Sequence, residues 1–287
     1  MMRLDIESLR AFKAVLDHGS VTRAAKALNL TQSAVSHKIT RLESRLGRPI
    51  LMKGEHGMVP TSDGQGLLHY AERLISLHDE AAAHFQSSDL TGQIRLGATE
   101  DATSAELAKV LGRFGRVHPN VSLYARVAQS LMLNFWLSTG EIDMAILQTF
   151  TEDMEPDDIE LWREDLIWVR SVDHPPQLGE IIPFVSFDSN SFYKLAAMRH
   201  LSAVGRTLRV VLECPGKEGV RAGIKSGFGI GLLGRSNLEE GLTELHSDLP
   251  PMPSVSHVLR SRAALPSRLE RNFADAVLLE MKQDIGN

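Results

Sequence analysis

The pattern of apolar residues changes near residue 90, and no other feature constrains the fold of this chain as strongly. Before that point, apolar residues recur every three or four positions, which is the spacing of amphipathic helices. After it, strand-like runs such as 94–98 and 142–147 alternate with helix-like segments. This alternation is typical of a parallel sheet covered by helices. The 287 residues therefore predict a helical N-terminal part and a C-terminal α/β part.

The composition argues against membrane, disulfide-linked and metal-binding classes. Hydrophobic residues make up 43% of the chain and charged residues 23%, which is ordinary for a globular protein. No apolar run approaches the ~20 residues that span a bilayer. Asp5 and Glu7 interrupt the region that a signal peptide would keep apolar, so we expect a cytoplasmic protein without a membrane partner. The single Cys214 excludes an intramolecular disulfide, and no residues show metal-ligand spacing, so we expect no metal and no cofactor.

The net charge of −5 is unevenly distributed along the chain. Residues 1–65 contain ten Lys and Arg against six Asp and Glu, whereas the remainder contains 21 against 30. A basic N-terminal part joined to an acidic body is typical of a protein that binds a polyanion through its N-terminal domain.

Three short helices are predicted within the first 47 residues. The first ends near Gly19. Ser20 is in position to cap a second helix over 21–28, whose alanines allow the close approach of a helix-turn-helix. Thr31 is expected to cap the third helix and Gly47 to end it. This third helix has an apolar stripe formed by Val35, Ile39, Leu42 and Leu46.

The opposite face of the third helix is polar and has no acid in its first two turns. Its side chains are Gln32, Ser33, Ser36, His37, Thr40 and Arg41, with Lys38 on the flank. Neutral hydrogen-bonding groups with a few cations are what the base edges of a DNA major groove require. The alternative is an ordinary solvated helix face, which more usually carries Glu and Lys at helical spacing.

Two further elements follow Pro49. Residues 50–53 and 58–60 flank a glycine-containing turn and predict a β-hairpin wing. Residues 62–88 contain no proline and predict one helix about 40 Å long, with Ser62 and Gln65 as a capping box. The apolar stripe of this helix exceeds what a small winged domain can cover, so we expect the helix to pair with a second copy of the chain.

These segments resemble the LysR-type transcriptional regulators. The similarity is carried by LRAF at 9–12, GSVTRAA at 19–25, TQSAVS at 31–36, LG at 46–47, PT at 60–61 and Gly64. It continues more weakly in GQIRLG at 92–97, GEIDMAI at 140–146 and GFGIG at 227–231.

The resemblance implies a domain organisation. A winged helix-turn-helix DNA-binding domain would cover 1–60, and a linker (dimerisation) helix would cover 61–89. An effector domain resembling the periplasmic-binding-protein fold would follow, with subdomain I over 90–161 and 266–287 and subdomain II over 162–265.

The resemblance also implies a function. The chain would be a sequence-specific transcriptional regulator, not an enzyme, whose activity responds to a small molecule bound between the two α/β subdomains. Its partners would be double-stranded DNA, the effector, further copies of itself as a homodimer to homotetramer, and RNA polymerase. The competing hypothesis is a solute-binding protein or enzyme of periplasmic-binding type with a helical accessory domain. That hypothesis gives no reason for the acid-free face of the third helix.

Eleven residues are candidates for DNA contact. They lie on the second and third helices and the wing: Ser20, Thr22, Arg23, Thr31, Gln32, Ser33, Ser36, His37, Lys38, Arg41 and Lys53. In this interpretation the polar groups of the third helix approach bases, and the cations neutralise phosphates. The family often has Phe and Arg where this chain has Leu51 and Lys53, and Lys keeps the charge but loses the planar fork of Arg.

Ten residues are candidates for effector contact, because open α/β sheets bind ligands beyond the carboxyl ends of their strands. They are Thr99, Glu100, Asp101, Thr103, Ser130, Gln148, Thr149, Phe187, Gly216 and Lys217. Their hydroxyls and helix N-terminal N–H groups favour a small polar metabolite with a carboxylate. Glu100 and Asp101 would repel it unless Lys217 or Arg221 supplied a cation, and an amine on the ligand would pair with Asp101. Helix capping is the alternative role for the two acids.

The run GIGLLG at 229–234 formally matches the dinucleotide-binding pattern G-x-G-x-x-G. Its glycines lie inside an apolar run rather than ahead of a helix, so the run itself is expected to be a strand. Close backbone packing is therefore favoured over a nucleotide site.

Overall fold

The computed structural model describes residues 4–55, 57–86, 90–103, 105–188, 191–246 and 249–281. These residues form two compact units. The first contains the described residues of Met1–Leu90 together with Arg113–Pro119, and the second contains those of Thr91–Gly112 and Asn120–Met281. The expectation of a helical N-terminal part followed by an α/β part is confirmed.

The first unit begins with three helices, a hairpin and a long helix. These are α1 (Ile6–His18), α2 (Val21–Ala27), α3 (Gln32–Leu46), β1 (Leu51–Gly54), β2 (Gly57–Pro60) and α4 (Ser62–Gln86). The side chains of Ser20 and Thr31 cap α2 and α3 by accepting backbone N–H groups. Gly19 and Gly47 end α1 and α3 in the left-handed conformation, as expected.

The core of this unit is built from the predicted apolar stripe of α3. Val35, Ile39 and Leu42 pack with α1 and α2, and Leu67 and Ala71 of α4 join the same core. The start of α4 differs from the expectation, because Thr61 rather than Ser62 is the cap: Thr61 Oγ1 accepts the N–H of Gly64 at 3.0 Å. The predicted positions 87–88 of this helix lie outside the described residues.

The hairpin is held against the α1–α2 turn through its glycine. The N–H of Met58 donates to the carbonyl of Gly19 at 2.8 Å. Gly57 has a φ of +145°, and a Cβ there would lie 2.4 Å from the same carbonyl oxygen. Only glycine permits this approach, which brings the wing against the α1–α2 turn.

The second unit contains strands β3 to β12 and helices α5 to α9. In chain order these are β3 (Gly92–Ala98), α5 (Ala105–Val117), β4 (Val121–Val127), α6 (Ser130–Thr139), β5 (Met144–Phe150), β6 (Ile159–Glu164), β7 (Leu166–Ser171), β8 (Ile181–Phe187), α7 (Phe192–Ala203), β9 (Thr207–Cys214), α8 (Lys217–Lys225), β10 (Gly231–Gly234), β11 (Leu242–Glu244), β12 (Val255–Ser261) and α9 (Arg268–Met281). The last residues of α5 fall in the first unit.

The strands form two subdomains. Subdomain I has a five-stranded sheet in the order β4-β3-β5-β12-β6. Subdomain II has the parallel pair β8-β9 and the antiparallel ladder β10-β7-β11, joined by a parallel bridge between Phe184 and Ile230. The first sheet is mixed rather than parallel as expected, since β12 runs antiparallel to both of its neighbours.

The pairing of β12 also corrects the predicted subdomain boundaries. Strands β6 and β12 hydrogen-bond within the first sheet, so the chain leaves subdomain I after Glu164 and has returned to it by Val255. Subdomain II therefore lies within 165–254 rather than 162–265. Sequence patterning missed β12 because its Ser256, His257 and Arg260 are polar, although all three are buried.

The glycine run behaves as the packing interpretation predicts. Gly231–Gly234 is strand β10, and a short 3-10 turn rather than a helix follows it. A Cβ on Gly229 would lie 2.4 Å from the carbonyl oxygen of Pro183, so the absence of a side chain permits close approach to β8.

Candidate nucleic-acid interface and effector cleft

Helix α3 presents a polar face clear of the domain core. Its exposed side chains are Gln32, Ser33, Ser36, His37, Thr40 and Arg41. The one acid of α3, Glu43, turns away from this face, and its Oε1 accepts the N–H of Ile50 at 3.0 Å. The exposed face therefore carries hydrogen-bonding groups and positive charge but no carboxylate.

The remaining candidates for DNA contact are distributed around this face. Thr22, Arg23 and Lys53 are exposed. Ser20 Oγ accepts the N–H of Arg23 at 3.2 Å, and Thr31 Oγ1 accepts that of Ala34 at 3.2 Å. Thr31 Oγ1 also lies 3.0 Å from Ser33 Oγ, so these two exposed hydroxyls share a hydrogen bond.

Lys38 differs from the other candidate cations. Its side chain is about a quarter exposed, and its Nζ lies 3.7 Å from Glu7 Oε2 on α1. The neighbouring carboxylate reduces the positive charge that this residue offers to a phosphate. Lys38 is therefore placed on the flank, as the sequence indicated, but with an internal partner that sequence reasoning missed.

The second unit contains a cleft between its two subdomains. It is lined by Thr99, Glu100, Asp101, Gln129, Gln148, Phe187, Ser191, Phe192 and Tyr193. The cavity inside it measures about 10 Å³, which is room for about one water molecule. Its polar wall comes from the carboxyl ends of the subdomain I strands, and its aromatic wall comes from subdomain II.

Lys217 makes two contacts that close this cleft at its polar end, beside a longer one from Gln129 Nε2 to the carbonyl of Pro215 at 3.5 Å. The backbone N–H of Lys217, the first residue of α8, donates to Glu100 Oε2 at 2.6 Å. Lys217 Nζ donates to Asp101 Oδ1 at 3.1 Å. Gly216 makes room for the first contact, because a Cβ there would lie 3.0 Å from Glu100 Oε2. A loop of subdomain I is thus fastened to the start of a helix in subdomain II.

The polar wall is ordered by hydrogen bonds behind it. Gln148 Nε2 donates to Asp101 Oδ2 at 2.9 Å, and Ser130 Oγ accepts the N–H of Gln148 at 3.0 Å. Thr99 is only 4% exposed, yet its Oγ1 has no hydrogen-bond partner among the described residues. A buried hydroxyl without a partner is unusual, and this one lines the cavity.

The aromatic wall is formed by three rings, with Tyr193 in contact with both phenylalanines. The centroids of Phe192 and Tyr193 lie 4.6 Å apart, and those of Phe187 and Tyr193 lie 6.1 Å apart. Burial raises the pKa of Tyr193 well above its usual value, and the negative charges of Asp101 and Glu164 raise it further. The phenol therefore stays protonated at neutral pH.

The structure brings most of the predicted effector residues together. Thr99, Glu100, Asp101, Gln148 and Phe187 line the cavity, while Gly216 and Lys217 contact the two acids. Ser130 lies behind Gln148. Thr103 is exposed and donates to the carbonyl of Glu100 at 2.7 Å.

Three predicted placements are wrong. Gln148 and Thr149 lie within β5 rather than beyond its end. Gln148 still lines the cavity, whereas Thr149 pairs with Ser256 of β12 and is not among the lining residues. Arg221 does not serve as the cation of the cleft, because it pairs with Glu218 at 2.8 Å and Glu239 at 3.4 Å.

Sequence reasoning missed four lining residues: Gln129, Ser191, Phe192 and Tyr193. Three of these lie at the start of helix α7, the next element after strand β8. The rule that selected the loops of subdomain I, that ligands bind beyond the carboxyl ends of strands, would have selected this loop as well.

These features define a class of protein. A winged helix-turn-helix whose third helix exposes an acid-free face, joined in one chain to a two-subdomain α/β unit with a cleft at the strand ends, is the architecture of a DNA-binding protein with an effector domain. The model of the LysR substrate binding domain matches residues 87–282, and that of the bacterial regulatory helix-turn-helix protein, lysR family, matches 6–65. The chain belongs to the LysR family of transcriptional regulators.

The relatives agree with this assignment. The chain is 29% identical to the HTH-type transcriptional regulator DgdR of Burkholderia cepacia, over 96% of this chain and 93% of that protein. It is 29% identical to the HTH-type transcriptional regulator PecT of Dickeya dadantii, over 90% of this chain and 82% of that protein. The crystal structure of full-length BenM shares the fold, with a TM-score of 0.51, 20% identity and coverage of 96% and 95%.

Two kinds of feature are absent from the described residues. No helix among them is both long enough and apolar enough to cross a bilayer. Their His, Cys, Asp and Glu side chains form no group of three or more that could hold a metal ion.

Proposed function

We propose that the exposed face of α3 reads bases in the major groove, and that the effector is a small polar metabolite with a carboxylate. The proposal that α3 reads bases rests on its acid-free exposed face, because Glu43 is turned inward to Ile50. Gln32, Ser33, Ser36 and His37 approach base edges. Arg23, Arg41 and Lys53, together with the hydroxyls of Ser20, Thr22 and Thr31, contact phosphates, and Lys38 contributes less because Glu7 is its neighbour.

Binding of the full chain to the DNA upstream of its own gene tests this half. Affinity is measured against a random fragment of equal length over a range of salt concentrations. We expect tighter binding to the upstream fragment and a linear fall of log K with log salt concentration for both. Equal affinity for the two fragments would contradict sequence-specific recognition by this face.

The second half concerns the cleft between the subdomains. The ordered polar wall of Thr99, Asp101 and Gln148, backed by Ser130, supports this location for the effector. A ligand that binds only the folded protein raises its melting temperature, so a metabolite panel screened by thermal shift tests the proposal. We also propose that the chain binds its effector without transforming it, and mass spectrometry of ligand recovered after incubation checks this.

The proposed assembly is a homodimer formed through α4 and extended to a tetramer by the effector units. Three apolar side chains of α4, Tyr70, Leu74 and Leu77, are exposed. Exposed apolar groups also lie at the β4–α6 edge of subdomain I and on α7 and β9 of subdomain II: Tyr124, Val127, Leu131 and Phe135, and Leu195, Met198 and Val210. Patches of this kind mark association surfaces. Light scattering at micromolar concentration tests the stoichiometry.

Family membership supports two further proposals. A regulator of this family acts where the chromosome is, in the cytoplasm. RNA polymerase is then its partner at the promoter, and co-purification of polymerase with the DNA-bound regulator tests that contact.

A further inference from the structure

We propose that the effector is a small zwitterion of the amino acid class, and that Lys217 and Glu100 occupy the positions of its two charged groups. The ammonium of Lys217 lies where the effector's ammonium binds. The carboxylate of Glu100 lies where the effector's carboxylate binds. This inference rests on the proposed function, because it takes the cleft between the subdomains as the effector site.

The carboxylate position is the N-terminus of α8. This nine-residue helix begins after Gly216, which provides no side-chain cap. The N–H of Lys217 donates instead to Glu100 Oε2, a carboxylate supplied by the other subdomain, at 2.6 Å. Exposed N–H groups and the helix dipole favour an anion at this point. A ligand carboxylate offers the same oxygen atoms as Glu100.

The effector's ammonium binds beside the carboxylate of Asp101. Its side chain is 18% exposed, Gln148 holds one oxygen at 2.9 Å, and Lys217 Nζ reaches the other at 3.1 Å. A largely buried carboxylate that loses its cation is destabilising, so anything that displaces Lys217 must bring a positive charge. A primary ammonium is the group that replaces Lys217 with the least rearrangement.

Thr99 gives an independent indication of a ligand at this place. Its Oγ1 is buried, lines the cavity and has no partner within the described part of the chain. An unpartnered hydroxyl facing a cleft is available to hydrogen-bond a ligand oxygen or nitrogen. Phe187 and Phe192 on the opposite wall offer apolar surface for the rest of a small molecule.

The size of the cavity connects these observations. A cavity of about 10 Å³ holds no metabolite, so binding requires the subdomains to part. Parting breaks both contacts of Lys217 at once. A zwitterion restores both, because it returns a cation to Asp101 and an anion to α8. A simple carboxylate leaves Asp101 without its cation, and a simple amine leaves the helix end without its anion.

The proposal predicts that substitution of one cleft residue tightens effector binding rather than weakening it. If Lys217 competes with the effector for Asp101, Lys217→Met removes the competitor and tightens effector binding. If Lys217 instead binds the effector's carboxylate directly, the same substitution weakens binding. Lys225→Met is the matched control, since Lys225 lies on the same helix and pairs with Glu239 at 2.6 Å rather than with Asp101.

The experiment uses the full-length protein and titration calorimetry, preceded by a thermal-shift screen. The probes are the twenty standard L-amino acids and, for each one that binds, the matched acid without the amine and the matched amine without the carboxylate. For valine these are 3-methylbutanoate and 2-methylpropan-1-amine. We expect at least one amino acid to bind about tenfold or more tightly than either of its matched analogues.

The Kd of that amino acid is also measured for three variants. Lys217→Met is expected to lower the Kd of that amino acid by about tenfold, Asp101→Asn to raise it by about tenfold or more, and Lys225→Met to leave it unchanged. Weaker binding by Lys217→Met overturns the proposal. So does a screen in which no amino acid binds. If no amino acid binds but another class of metabolite shifts the melting temperature in the wider metabolite panel proposed above, the cleft remains an effector site and only the zwitterion inference fails.

Discussion

His257 Nε2 lies 2.8 Å from Glu164 Oε1, where the chain passes from subdomain I to subdomain II. Both side chains are buried, at 1% and 10% exposure. The imidazole stacks on Trp162 with ring centroids 4.0 Å apart, and the second oxygen of Glu164 accepts the hydroxyl of Ser236 in subdomain II at 2.6 Å. Burial raises the pKa of Glu164, but the hydrogen bonds from His257 and Ser236 outweigh it and hold the pKa below its usual value.

This depressed pKa predicts a pH dependence of stability. A carboxyl whose pKa is lower in the folded than in the unfolded chain stabilises the fold above its unfolded pKa, and that stabilisation is lost as the pH falls through the folded pKa. Glu164→Gln is therefore expected to reduce the free energy of unfolding by about 1–3 kcal/mol at neutral pH. The difference from the wild type should shrink below about pH 4.

Urea unfolding of both proteins across this pH range measures the difference. Glu72→Gln on the exposed surface of α4 is the control and should change little at any pH. A Glu164→Gln deficit that stays constant from neutral to acid pH would show that the carboxylate contributes through its shape rather than its charge.

The acid-free face of α3 leads to a prediction about DNA recognition. Gln32→Ala should weaken binding to the specific site by about 1–3 kcal/mol, because a lost base contact carries discrimination. Binding to random DNA should change little. Lys53→Ala is the contrasting variant, expected to weaken both and to reduce the salt slope by about one counterion. Titration of each variant against the specific and the random DNA measures these affinities. An equal loss of affinity for both DNAs in Gln32→Ala would refute base reading by this residue.

The exposed stripe of α4 leads to a prediction about assembly. Leu77 is 62% exposed and Tyr70 60%. If a second copy covers this stripe, Leu77→Glu buries an unpaired charge in the contact and lowers the mass measured by light scattering. Gln65→Glu adds the same charge at another exposed position of the helix and should leave the mass unchanged. A wild-type protein that is monomeric at micromolar concentration would remove the basis of this prediction.

The helical part of the fold was predictable because its signals are local. Ser20 and Thr31 lie three residues from the N–H groups that they cap, and Gly47 ends α3 without help from distant residues. Strand β12 was not predictable in this way. Its buried Arg260 is satisfied by Asp158 at 2.6 Å and 2.7 Å, from a position about a hundred residues earlier. A sequence window shows the polar residue but not the distant partner that makes its burial possible.

The candidate site was likewise predictable where its signals are local and not where they depend on distant residues. The strand-end rule found Thr99, which directly follows β3, and Gln148, which lines the cleft from the carboxyl-terminal half of β5. It misplaced Thr149 because β5 continues to Phe150, and alternation along the strand turns neighbouring side chains to opposite faces. The contact between Lys217 and Asp101 joins residues 116 positions apart, so only the fold reveals that the two charges meet.

The unpartnered hydroxyl of Thr99 leads to a prediction in which one substitution removes the effector response without lowering stability. Its buried Oγ1 has no partner among the described residues, so Thr99→Val replaces it with a methyl group of nearly the same volume and removes an unsatisfied polar atom. We expect the ligand-free melting temperature to stay level or to rise, since an unmade buried hydrogen bond costs about 1–3 kcal/mol. The effector-induced thermal shift should be lost, and DNA affinity should be retained. Thr139→Val is the control: its exposed hydroxyl, at the C-terminal end of α6, donates to the carbonyl of Phe135 at 3.0 Å, and its removal should leave the effector response intact. A Thr99→Val protein that is less stable without ligand, yet responds normally to the effector, would show that this hydroxyl supports the fold and takes no part in binding.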